Sequence, residues 1–212
     1  MSAGHANDHL PGVVSLLDGD ADVREAMGRL LRPSGWELRS FGSPSEYLTA
    51  PRPPLPACVV LEAALPGDSG LDLQRRLQEA GDATPLIFVT SQGDLATGVR
   101  AMKAGAIDFL TKPVNEPDLL AAVRLALQRD AMQRRQHERR DEVQRRIASL
   151  SPRERDVMRR VVRGMLNKTI AAELSIAEIT VKVHRRHTMD KMGAQTLADL
   201  VRMVDRAEPG DD

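Results

Sequence analysis

The run Cys58-Val59-Val60-Leu61-Glu62 decides how the first half of this chain folds. Four apolar residues, two of them β-branched, make a short buried strand, and the acid that follows marks where the chain meets solvent. The same form recurs on either side. Val13-Val14-Ser15-Leu16-Leu17 precedes Asp18, Leu86-Ile87-Phe88-Val89 precedes Thr90, and Ile107-Asp108-Phe109-Leu110 lies just ahead of Lys112. Residues 36–41 alternate like a half-buried edge strand. Amphipathic stretches fill the intervals at 23–31, 71–77, 95–102 and from Leu119 onward. Gly12, Gly35, Pro66-Gly67, Gly81 and Gly105 punctuate the connections. Strand and helix in alternation predict parallel strands joined by crossover helices, an α/β doubly wound sheet of five strands.

Ligands of such sheets bind beyond the carboxyl ends of the strands. Asp18, Glu62, Thr90 and Lys112 are the residues at those ends. A polar residue at a strand end can simply face water. Two acids, a hydroxyl and an ammonium at four ends make a complementary set, and they are expected to converge.

The chain has 212 residues, enough for two domains. Its net charge is zero, but the halves differ. Residues 1–130 hold 12 Lys/Arg against 17 Asp/Glu, and residues 131–212 hold 18 against 13. An acidic domain followed by a basic one suits a polyanionic partner for the second, although solvated surface charge alone gives the same balance. One cysteine, Cys58, rules out an internal disulfide framework and agrees with a reducing cytoplasm. Within its apolar run it reads as a buried small hydrophobe, with a redox sensor as the minority reading. No stretch approaches the ~20 apolar residues a membrane span needs. Residues 1–12 lack both a basic start and an apolar run, so they are expected to be a loose lead-in and not a signal peptide. His5 and His9 within them are not expected to hold a metal.

Leu119, Leu120, Val123 and Leu127 give one helical face, after which residues 133–142 contain no apolar side chain. That stretch also has no Gly or Pro and is rich in helix formers. Asp130 with Arg134, Asp141 with Arg145 and Glu142 with Arg146 are acid-then-base pairs at i,i+4. A long helix is therefore expected through residues 128–148, joining the two domains.

Ser151-Pro152-Arg153-Glu154 is a capping box with proline at the first helical position. Val157, Val161, Val162 and Met165 form the buried face of the helix it starts, and Gly164 stops it. Asn167 is expected to cap a short second helix, with Ile170, Ala171 and Leu174 inward. Ser175-Ile176-Ala177 turns into a third helix, from Glu178 to about Met192, and Leu197, Leu200, Val201 and Val204 mark a fourth. Helix, tight turn and helix with a basic second member is a helix-turn-helix, whose second helix enters the major groove. Val181, Met189 and Met192 face inward, which leaves Lys182, Val183, Arg185, Arg186 and Lys191 outward. Cationic side chains there reach guanine edges or phosphates, and an exposed valine meets a thymine methyl. His184 and His187, at i,i+3, read as a DNA-facing and a solvent histidine rather than a metal pair.

Residues 13–127 resemble the receiver domain of bacterial response regulators, most closely the FixJ and NarL groups. The resemblance rests on Asp18-Gly19-Asp20-Ala21-Asp22-Val23-Arg24, Leu65-Pro66-Gly67-Asp68-Ser69-Gly70-Leu71, Val89-Thr90, Ala101-Met102-Lys103-Ala104-Gly105-Ala106 and Lys112-Pro113. It implies a CheY-like sheet of strand order 2-1-3-4-5. It also implies a pocket of two adjacent acids after the first strand, a phosphoacceptor aspartate after the third, Thr90, Lys112 and a switch-reporting aromatic at Phe109. Two positions depart. Glu62 stands where the aspartate is expected, and Gly19 replaces the second of the paired acids, with Asp20 the nearest substitute. Mg²⁺ asks for near-octahedral oxygen ligation, and phosphoryl transfer for in-line geometry; losing one carboxylate and lengthening another disturbs both. The pocket thus reads as degenerate and no cofactor is expected, Asp18 and Glu62 being the carboxylates on which weak Mg²⁺ binding could persist. Glu62 can pair with Lys112 and accept from Thr90, meeting part of what a phosphate of roughly −2 charge would meet.

Residues 149–206 closely resemble the LuxR/NarL/FixJ-type output domain, an all-α four-helix unit. Leu150-Ser151-Pro152-Arg153-Glu154-Arg155, Gly164, Asn167-Lys168, Ile170-Ala171, Thr180-Val181-Lys182-Val183-His184 and Lys191-Met192 carry the likeness. By that resemblance Lys182, Val183 and Arg186 read bases while Lys168, Thr180, His184 and Lys191 hold phosphates. Ala177 departs from the Ser or Thr that usually caps the recognition helix. Residues 207–212 are a tail.

The expected protein is a sequence-specific transcription regulator of double-stranded DNA, acting as a homodimer and not as an enzyme, with a receiver independent of phosphorylation. Two other readings stay open: a phosphorylation-dependent regulator served by a sensor kinase, and a receiver that docks a protein partner.

Overall fold

The computed structural model describes residues 10–65, 68–91 and 95–207. The sequence readings for residues 1–9, for Pro66-Gly67 and for the tail beyond residue 207 lie outside them. The chain divides into two compact units, Met1–Arg134 and Arg135–Asp212.

In the first unit β1 (Val13–Leu17), α1 (Ala21–Leu31), β2 (Glu37–Phe41), α2 (Pro44–Thr49) and β3 (Ala57–Glu62) come first. A two-residue hairpin, β4 (Ala64–Leu65) and β5 (Asp68–Ser69), leads into α3 (Gly70–Glu79), followed by β6 (Leu86–Thr90), α4 (Leu95–Lys103) and β7 (Asp108–Thr111). The five long strands form one sheet in the order β2-β1-β3-β6-β7, every neighbouring pair parallel. Leaving out the hairpin, this is the expected 2-1-3-4-5 arrangement. Neither the hairpin nor α2 figured in the sequence reading, because elements of two and six residues carry no periodicity.

β1, β3 and β6 are buried along their whole length, which is why their sequences run apolar instead of alternating. Val14, Leu16, Cys58, Val60, Ile87 and Val89 pack on one face against Leu31 of α1 and Leu119, Val123 and Leu127 of the helix after β7. Leu17, Val59, Leu61 and Phe88 pack on the other against Leu73 and Leu77 of α3 and Ala101 of α4. Each of the Val, Leu, Ile and Phe side chains among them contributes about 1.5–3 kcal/mol by leaving water. β2 lies at the sheet edge with only Phe41 buried, in keeping with its alternating pattern.

Helix α5 runs unbroken over Glu116–Ala148. Its first turns bury Leu119, Val123 and Leu127 in the first unit; Val143 and Ile147 join the core of the second. Of the three acid–base pairs expected on it, Asp130–Arg134 (2.6 Å) and Glu142–Arg146 (2.8 Å) form. The Asp141–Arg145 pair does not. Arg145 turns to Glu142 at 2.8 Å, whose longer carboxylate holds both arginines, and Asp141 lies 3.5 Å from His137. Asp130 also accepts from the Ala57 N–H at 2.8 Å, tying α5 to the start of β3.

The second unit adds α6 (Pro152–Val162), α7 (Asn167–Leu174), α8 (Glu178–Met192) and α9 (Leu197–Ala207). Val157, Met158, Val161, Ile170, Val181, Met192, Leu200 and Val204 form its core. The capping box at α6 is complete, with Ser151 accepting from the Glu154 N–H at 3.2 Å and Glu154 from the Ser151 N–H at 2.8 Å. Gly164 stops the chain after α6 with φ of 80°, a left-handed conformation that only glycine adopts freely. Asn167 does not cap α7 as expected. Leu166 occupies the cap position, and the Asn167 side-chain oxygen Oδ1 instead accepts from Arg185 of α8 at 3.2 Å.

Candidate functional site

The carboxyl ends of β1, β3, β6 and β7 are brought level by the parallel register, which pairs Leu17 with Leu61, Glu62 with Val89 and Thr90 with Thr111. Asp18, Glu62 and Thr90 are all buried there. The Lys112 ammonium lies 2.7 Å from Asp18 Oδ2 and 2.7 Å from Glu62 Oε2, so one cation closes both carboxylates. Glu62 Oε1 accepts from the Ala64 N–H at 3.3 Å, and the Thr90 hydroxyl donates to the same carboxylate. Burial pushes Glu62 toward its neutral form. Hydrogen bonds from Lys112, Thr90 and Ala64, with the charge of Lys112, outweigh burial and hold it below the usual carboxylate range. Burial likewise works against the charge on Lys112, and the hydrogen bonds and charges of Asp18 and Glu62 overcome it, so its pKa rises.

Other residues expected in this pocket stand apart from it. Gly19 offers no side chain, and Asp20 is exposed, its carboxylate capping α1 by accepting from the Asp22 N–H at 2.8 Å. Its own N–H donates to Asp18 Oδ1 at 2.9 Å. Phe109 is half-buried and stacks on Phe88 with ring centroids 6.2 Å apart. A Cβ on Gly98 of α4 would lie 3.2 Å from the same ring. Gly70, which opens α3, is more tightly constrained, since a Cβ there would fall 2.8 Å from the Glu62 backbone carbonyl oxygen.

The donor set does not fit a Mg²⁺ ion well. Two carboxylates face the pocket, both already accept from Lys112, and no group of three or more His, Cys, Asp or Glu suited to a metal exists among the described residues.

In the second unit, α7, the turn at 175–177 and α8 form the helix-turn-helix. Ser175 takes the left-handed conformation that the tight turn requires, with φ of 54°. Helix α8 turns one face outward. Ile179, Lys182, Val183 and Arg186, at i, i+3, i+4 and i+7, are exposed on it, with Ile179 67% and Val183 46% accessible. Lys182 is held loosely by Glu178 at 3.2 Å. Lys168 is exposed on α7, while Thr180, His184 and Arg185 are half-buried. Arg185 is engaged by Asn167.

Lys191 differs from its sequence reading. Its ammonium lies 2.7 Å from Glu154 Oε2 and so pins α8 to the first turn of α6. The Glu154 carboxyl, bonded by Lys191 and the Ser151 N–H against the opposing effect of burial, is held down at about 2. His187 stands 3.8 Å from its other oxygen, and the buried Thr188 hydroxyl donates to the Glu154 carbonyl at 3.3 Å. Residues 37 positions apart carry no shared sequence signal, so this node was not legible beforehand. Ile179 was: its spacing to Val183 places it on the exposed stripe.

Comparison with known proteins identifies the family of each unit. Residues 14–124 match the response regulator receiver domain, and residues 148–204 match the luxR family of bacterial regulatory proteins. The chain belongs to the response regulators that join a receiver to a LuxR-type DNA-binding domain, a class of transcription regulators. It is similar to nodulation protein W of Bradyrhizobium diazoefficiens, 44% identical over 207 residues that cover 94% of this chain and 88% of that one. It is also similar to the transcriptional regulatory protein FixJ of Azorhizobium caulinodans, 44% identical over 191 residues and 90% of each chain. Among solved structures, the response regulator StyR superposes with a TM-score of 0.83 at 43% identity, covering 92% of this chain and 98% of that one. No helix among the described residues is long and apolar enough to cross a membrane.

Proposed function

We propose that this response regulator controls transcription without phosphoryl transfer to its receiver, Glu62 standing in for the phosphorylated acceptor. The observation that carries the reading is the three-way contact of Lys112 with Asp18 and Glu62, both at 2.7 Å. An aspartate at position 62 would be a methylene shorter. Glu62 carries its charge farther out, toward where a phosphoryl oxygen would lie, and it already holds the lysine and the Thr90 hydroxyl. Residues 13–127 serve as the receiver, 128–148 as a helical connector and 149–206 as the DNA-binding domain.

Lys182, Val183 and Arg186 read base edges from the exposed stripe of α8, with Ile179 beside them. Lys168, Thr180, His184 and Arg185 position the phosphate backbone, and Lys191 acts mainly by bracing α8. The protein works in the cytoplasm as a homodimer on double-stranded DNA; the exposed Leu95, Val99 and Met102, at helical spacing on α4, provide an apolar face for pairing. It acts by binding and carries out no catalysis.

The test is mass analysis of the full-length protein after incubation with a small phosphodonor and Mg²⁺, alongside selection of genomic fragments by the untreated protein. Unchanged mass together with tight, salt-sensitive selection supports the reading. A stoichiometric phosphoryl adduct that raises DNA affinity replaces it with a kinase-dependent regulator.

A further inference from the structure

Helix α8 carries two kinds of side chain on its outer face. Val181, Thr188 and Met192 are buried in the second unit, which turns Ile179, Lys182, Val183 and Arg186 outward. Lys182 and Arg186 can donate to base edges or to phosphates. Ile179 and Val183 can do neither, and Ile179 is the more exposed of the two.

Isoleucine is a poor choice for that position on stability grounds. It is β-branched, ranks below alanine and leucine as a helix former, and gains little from packing when 67% of it is in water. A single exposed apolar residue is ordinary on a protein surface. Ile179 is not single: it lies one turn before Val183 on the same stripe, and the two cations of the stripe flank them. It is also the second residue of α8. In a helix-turn-helix the N-terminal residues of the second helix are the ones that meet base edges.

What an isoleucine can recognise there is narrow. It has no donor or acceptor, so the hydrogen-bonding pattern of the groove is closed to it. Against a phosphate its apolar surface would strip water from a charge without replacing it. The base edges of the major groove offer one apolar group, the C5 methyl of thymine. We infer that Ile179 is a specificity-determining residue, selecting a pyrimidine that bears a 5-methyl group. The inference rests on α8 reading bases from its exposed stripe. Val183 lies ~6 Å farther along the helix, whereas successive base pairs are ~3.4 Å apart. The two side chains therefore address different base pairs, and Ile179 adds a position to the site instead of duplicating the one that Val183 contacts.

The experiment uses the full-length protein and the DNA fragments it selects. Each thymine of the selected site is replaced singly by uracil, which removes the methyl and leaves every hydrogen-bonding group in place. Binding is then measured for the parent, Ile179→Ala, Val183→Ala and Lys182→Ala. At least one replacement is expected to weaken the parent about four-fold, the worth of one buried carbon. The same replacement should leave Ile179→Ala unaffected and still weaken Val183→Ala. Ile179→Val, which keeps a branched side chain, should retain part of the response. Alanine is the better helix former at this exposed position, so Ile179→Ala keeps its fold. Responses to uracil that all persist in Ile179→Ala, or no response at any thymine, would overturn the inference and leave Ile179 against deoxyribose or solvent. Lys182→Ala separates that failure from a failure of the underlying reading: an unchanged sequence preference in this variant as well would remove α8 from base reading altogether.

Discussion

Lys112 and Glu62 are 2.7 Å apart at the carboxyl edge of the sheet, and the same ammonium is 2.7 Å from Asp18. One cation between two buried acids is an asymmetric arrangement. Taking away either acid leaves the lysine paired, but taking away the lysine leaves two buried carboxylates facing each other.

Lys112→Met should therefore destabilise the receiver by about 3–5 kcal/mol, the cost of breaking a buried ion pair from one side. Glu62→Gln in that background should recover much of the loss. Urea unfolding of the four proteins of this double-mutant cycle measures the coupling.

Glu154 sets the acid stability of the DNA-binding unit. Its carboxyl is held at about 2, against an ordinary value of 4.5. A carboxyl depressed by folding contributes stability that is complete above its unfolded value and is lost as pH falls through the folded one. The second unit should thus weaken between about pH 4.5 and pH 2. Glu154→Gln should be less stable at neutral pH and flatter across that window, as read from amide signals of α6 and α8 during acid titration.

The recognition helix starts without a side-chain cap, since Ala177 occupies the cap position in extended geometry. Ala177→Ser should add about 1 kcal/mol to the stability of this unit by giving an orphan N–H of the first turn an acceptor. Thermal unfolding of the two proteins at matched concentration checks it.

Lys182 and Lys191 should separate on DNA. Lys182→Ala, on the exposed stripe, is expected to cost about 1–3 kcal/mol on the preferred sequence and to relax the preference at one position. Lys191→Met, which breaks the bond to Glu154, should lower the unfolding temperature more than it changes the sequence preference. Binding isotherms at several salt concentrations, paired with melting curves, distinguish the two.

Much of this was legible because the deciding signals are local or strictly periodic. The apolar runs of β1, β3 and β6 had to be strands buried on both faces, and their terminal residues had to meet at one edge whatever the packing. Ser151 and Glu154 are three residues apart, so their capping box was readable; the bond from Lys191 to Glu154 spans two helices and was not. Asn167 misled for the same reason, because its capping chemistry was diverted by Arg185 from the neighbouring helix. Asp20 was read as a substitute pocket acid, yet it is the N-cap of α1, and the free N–H groups of that first turn draw its carboxylate there.

The proposed role of Glu62 is to hold the receiver in its active arrangement. The most direct measurement is the affinity of untreated full-length protein for its selected DNA, compared with Glu62→Ala. Tight binding by the parent without a phosphodonor is expected, with roughly ten-fold weaker binding by the variant, equivalent to about 1.4 kcal/mol. Equal affinities for the two proteins would contradict it.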